Sequence, residues 1–124
     1  MQKYDEHINQ AKHNENLASE LLQTLTYKDW IITICFYSAL HYVDAELLKR
    51  LNVDPEISHP EDRSIHSYRE DMVRTFFKKV FEDYRFLSVL SRSTRYHCYT
   101  PTDTEAKDSF NLHLVNIKNF FNPR

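Results

Sequence analysis

The sequence predicts an all-α fold, an antiparallel four-helix up-and-down bundle with an additional short helix, in a single domain over residues 1–124. Two observations lead there. The chain contains no glycine, where average usage would give about nine, and the primed turns of sheet hairpins rely on residues that tolerate positive φ. Every long segment also repeats its apolar residues at helical spacing. The same lack of glycine excludes phosphate-cradling loops of the Walker type and dinucleotide fingerprints, both of which need close backbone approach.

The elements follow in order. Tyr4, Ile8, Ala11, Ala18, Leu21, Leu22 and Leu25 form one stripe of a first amphipathic helix over residues 3–25. Thr26 and Asp29 suit a capping-box variant that opens a second helix over about 27–52. That helix is apolar nearly all round, as expected of a central helix or one at a subunit interface. Its polar stripe, Thr33, Tyr37, His41 and Asp44, spans roughly 80° of arc. Asp54-Pro55 and His59-Pro60 mark a connection over 52–60. An unbroken helix from Glu61 to Tyr96 would reach about 54 Å, so a bend near 75–79 is expected, giving helices over 61–75 and 78–96. Thr100 as N-cap, Pro101 in the first turn and Asp103 start a last helix that runs to about Phe121. The expected core includes Ile34, Leu40, Val43, Phe77, Val80, Phe81, Tyr84, Leu87 and Leu114.

Charge and cysteines bound the function. The net charge is −2, yet residues 74–97 carry six basic side chains against Glu82 and Asp83, a local balance of +4. A general DNA coat would be basic throughout; one basic region suits a limited anionic ligand. Cys35 lies in an apolar helical run and reads as a buried thiol rather than half of a disulfide. No leader opens the sequence and no apolar run reaches spanning length without polar interruption, so a cytoplasmic protein without membrane association is expected.

The segment Ser91–Thr100 gathers Arg92, Arg95, Tyr96, His97, Cys98 and Tyr99 where a helix must end, because Thr100 precedes a proline. Arg92 and His97 are five residues apart, roughly 140° on an unbroken helix, and only the break lets them meet. A fixed cation beside an imidazole suits anion binding or phosphoryl chemistry with a histidine base. A competing reading pairs these arginines with acids to close the end of the bundle.

Residues Phe36–Leu48 resemble the core helix of the HEPN superfamily of small helical domains, and Tyr84–Tyr96 resemble its later helix. His59–His66 with Tyr68-Arg69 is similar to a connecting segment of some members. Ribonuclease members carry an arginine, four to six residues and a histidine, which Arg92 to His97 fits at four; the residue after the arginine is Ser93 here, where those members often have Asn, Asp or His. The resemblance implies a metal-independent endoribonuclease with Arg92 as phosphate clamp and His97 as base for the 2′-hydroxyl. Arg95, Tyr96, His41, His66 and Arg69 are the expected substrate-binding residues, and no cofactor or metal is expected. It also implies a homodimer with both sites on one cleft. The alternative is a non-catalytic accessory or dimerisation subunit of a nucleotidyltransferase-type or toxin–antitoxin partner, binding RNA or nucleotide without chemistry. A metal held by His41, His59 and His66 with Asp44 or Asp62 is a weaker reading, since no repeated Glu-x-x-His or His-x-x-x-His occurs.

Overall fold

The computed structural model describes residues 3–122, and every regular element among them is helical. In chain order these are α1 (Tyr4–Leu22), α2 (Lys28–Leu51), the short α3 (Pro55–Ser58), α4 (Ile65–Phe76), a 3₁₀ turn at Lys78–Val80, α5 (Phe81–Tyr96), α6 (Asp103–Asp108), a π segment (Ser109–Leu114) and α7 (Val115–Phe121).

α2 is the centre of the fold. Ile31, Cys35, Ala39, Val43 and Leu47 recur every four residues and are all fully buried, which is the spacing that lines one helix face. Each large side chain among them contributes about 1.5–3 kcal/mol on burial. Because α1, α5, α6, the π segment and α7 all pack on α2, most of its apolar surface is absorbed within one chain, with Trp30 and Leu51 left exposed near its two ends. α2 is long and apolar enough to cross a membrane, yet 78% of its apolar window is buried inside the fold. Of the expected core, Leu40, Val43, Phe77, Val80, Tyr84, Leu87 and Leu114 are buried, while Ile34 and Phe81 pack partly buried against it.

α1 and α2 run antiparallel. Tyr4 Oη donates to Glu46 at 3.2 Å, His7 meets His41 at 3.0 Å, and Ser38 Oγ donates to the Ala11 carbonyl at 2.8 Å. The small residues Ala11 and Ser38 allow this close approach.

Several boundaries differ from the sequence expectation, each through local chemistry. α1 stops at Leu22 rather than Leu25, and Leu25 turns the chain with φ 54°. α2 starts at Lys28 behind Tyr27, with no side-chain cap from Thr26. α4 starts four residues late because Ser64 caps it, accepting from the Ser67 N–H. Thr102, not Thr100, caps α6, in a reciprocal box with Glu105. Asn52 and Cys98, also at φ 54°, end α2 and α5: Val53 N–H reaches back to the Leu47 carbonyl and Tyr99 N–H to that of Ser93. These are Schellman-type closures made without glycine.

The π segment has a readable cause. Ala106, Ser109, Leu114, Ile117 and Phe121 are the buried residues of this last stretch. The step from Ser109 to Leu114 is five, which would leave Leu114 about 140° out of phase on an α-helix. A π turn, closed between residues five apart, keeps both facing the core.

Candidate functional site

α4 and α5 lie side by side in opposite directions over α2: Arg74 near the end of α4 stacks on Phe81 at the start of α5, 4.8 Å from the ring centroid, while His66 near the start of α4 feels the charges of Arg92 and Arg95 at the end of α5. Between them is a cleft of about 580 Å³ with Phe36 and Tyr37 of α2 also in its wall.

One end of the cleft is basic. Arg95 donates through Nη1 to Tyr37 Oη at 2.6 Å and through Nε to the Ser91 carbonyl at 3.2 Å. Its guanidinium also lies 5.4 Å from the centroid of the Tyr37 ring and 5.1 Å from that of Tyr96. Two aromatic faces thus hold the cation in place. Arg92, exposed one helical turn earlier, lines the same wall. Among the described residues no carboxylate pairs with Arg92 or Arg95, so neither charge is neutralised by an ion pair. Ser64, His66 and Ser67 bring the start of α4 to this end, adding the positive end of its dipole.

The other end is balanced. Asp71 accepts from Arg74 at 2.6 Å and pairs with Arg63, and Glu70 lies 3.7 Å from Arg74. Ser67 and Ser88 line the stretch between the two ends.

The structure separates the residues singled out from the sequence. Arg92, Arg95, Tyr96 and His66 share the cleft. His97 does not: it is the exposed residue that closes α5, and it is absent from the cleft wall. The helix runs unbroken to Tyr96, so the break comes too late to swing His97 back beside Arg92. Arg69 is buried and grips Asp44 with two bonds of 2.8 and 3.0 Å, which leaves it a strut between α4 and α2. His41 turns toward α1, with Nδ1 3.0 Å from Nδ1 of His7, rather than toward His66. His59 donates to the Pro55 carbonyl of its own turn. His41, His59 and His66 therefore do not converge, and no cluster of three or more metal-ligating side chains occurs among the described residues.

No family model, curated protein or solved structure matches the chain. The HEPN resemblance rests on its sequence motifs alone.

The histidine of the cleft is biased toward its neutral form. His66 is an exposed residue of the cleft wall, and desolvation first, then the charges of Arg69, Arg95 and Arg92, lower its pKa below the ordinary 6.5, with Asp44 opposing. The imidazole is neutral at pH 7 beside two cations. Tyr37 and Glu70 complete the site. Tyr37 was visible in the sequence as part of the polar stripe of α2; Glu70 carried no signal apart from its place on α4.

Proposed function

We propose that this chain is a HEPN-like helical bundle whose α4–α5 cleft binds the phosphate groups of RNA or of a nucleotide. The observation that carries the reading is the pair Arg92 and Arg95, facing one cleft without a carboxylate partner among the described residues. Guanidinium forks match phosphate oxygens in geometry and charge. Titration of ribonucleotides and short RNA against the protein tests it. Arg92→Ala should weaken binding roughly tenfold or more, the scale of one charged hydrogen bond, with the fold intact; unchanged affinity would remove the reading.

The endoribonuclease form of this reading takes its base from His66, since a neutral imidazole beside the arginines can accept a 2′-hydroxyl proton while the arginines offset charge on the phosphorus oxygens. Cleavage that resists EDTA, is lost in His66→Ala and survives in His97→Ala is the outcome that supports it. The accessory-subunit form predicts binding with no cleavage.

A homodimer joins this proposal. Its contact surface would be the apolar patch where Tyr27 and Trp30, 56% and 54% exposed, meet Leu21 and Ile34.

A further inference from the structure

We infer that the cleft is built for a mononucleotide, a nucleoside carrying one terminal phosphate, and that Glu70, by holding the charge of Arg74, disfavours the longer chain. The inference rests on the phosphate reading of the cleft and chooses between its two ligands, nucleotide and RNA.

Charge accounts for the phosphate. At the balanced end, Arg63 and Arg74 are matched by Glu70 and Asp71. The positive charge left over is that of Arg92 and Arg95, both at the other end. Two unmatched cations at one place suit a phosphomonoester, which carries a charge of about −1.5 to −2 at pH 7, better than a row of singly charged diesters.

Direction accounts for the rest. Because α4 and α5 are antiparallel, the groove leads from Arg92 and Arg95 past Ser67 and Ser88 to Glu70 and Asp71. A sugar and base following the phosphate would meet hydroxyls able to donate and accept. A second phosphate would reach Arg74, whose charge Glu70 and Asp71 already hold, so it would find no unmatched cation there. The volume of about 580 Å³ is that of an ordinary small-ligand pocket.

Calorimetric titration with the four ribonucleoside 5′-monophosphates, the parent nucleosides, inorganic phosphate, the 5′-phosphorylated dinucleotide pApA and a ten-residue oligoadenylate tests this. At least one monophosphate should bind roughly tenfold or more tightly than its nucleoside and than inorganic phosphate, and pApA and the oligomer should bind no better than adenosine 5′-monophosphate. Glu70→Gln, which loosens the hold on Arg74, should raise the affinity for pApA several-fold relative to that for the monophosphate. Affinity that climbs with chain length, and falls for every length in Arg92→Ala, would overturn the mononucleotide inference and leave the phosphate cleft standing. Inorganic phosphate binding as tightly as the best monophosphate would overturn the role given to the nucleoside. Wild-type protein that binds none of these ligands would sink the phosphate reading and this inference with it.

Discussion

Arg69 and Asp44, 25 residues apart, hold each other through two hydrogen bonds with 4% of each side chain exposed. Through this pair α4 is fixed on α2, and α4 forms one wall of the cleft, so the pair sets the groove without touching a ligand. Burying two charges is costly, and the cost is met only while both partners are present.

Asp44→Ala should therefore destabilise the protein by about 3–5 kcal/mol, because it strands a buried guanidinium. The double change Asp44→Leu with Arg69→Met should recover most of that loss. Urea unfolding of the two variants checks this; a double variant as unstable as the single one would show that the pair is not the source.

Tyr37→Phe keeps the ring beneath Arg95 and removes the hydroxyl that accepts its 2.6 Å bond. Stability should fall by about 0.5–1.5 kcal/mol, and affinity for the best-bound monophosphate should drop several-fold as the guanidinium loses its orientation. Tyr37→Leu, which also removes the stacking face, should lower affinity further. Equal affinity in all three proteins would mean that Arg95 needs no such support.

Acid should weaken the fold above the range of ordinary carboxylates. Burial first and then His7 hold the His41 pKa below 6.5, against the pull of Asp44, and His66 shifts the same way. Below pH 6.5 the unfolded chain then binds more protons than the folded one, so this stability is complete above about 6.5 and is lost as pH falls through the folded values. Urea midpoints should be level from pH 8 to 7 and decline from 6.5 to 5.5, with a shallower decline in His41→Gln. A midpoint that rises on acidification in that window would contradict the sign.

Trp30→Glu places a charge in the exposed patch with Tyr27 without entering the core. Wild-type protein should sediment at twice the 15.0 kDa of one chain at tens of micromolar, and the variant as a monomer with unchanged unfolding. A monomeric wild type would remove the dimer.

The all-helical character was legible because apolar period depends on local spacing, and the stripe from Ile31 to Leu47 carries it plainly. The basic half of the cleft was legible too, since Arg92, Arg95 and Tyr96 are neighbours on one helix. Which histidine joins them was not. His97 is close in sequence, but the end of α5 leaves it in solvent, whereas His66 arrives through the pairing of α4 with α5, a tertiary fact with no local trace. The polar stripe on α2 was visible, but its division among three partners was not: Tyr37 serves Arg95, His41 serves His7, and Asp44 serves Arg69. The cap at Thr102 was missed for a smaller reason, since Thr100 two residues earlier could also have served, and Ser64 was passed over because helical period reads back to Glu61.

The π segment makes the last stretch tolerant of a length change that a plain helix would not survive. Asn111 and Leu112 are exposed and lie inside the wide turn between Ser109 and Leu114. Deleting either one shortens that step from five residues to four, the spacing at which an ordinary α-helix already stacks its side chains. Leu114, Ile117 and Phe121 would then keep their places in the core, with the turn tightened to regular α geometry. The same deletion among the stacked residues of α2 would swing everything beyond it by about 100°. One fold thus holds a position where the sequence can lose a residue without changing what is inside, a few turns away from a helix where every residue fixes the next.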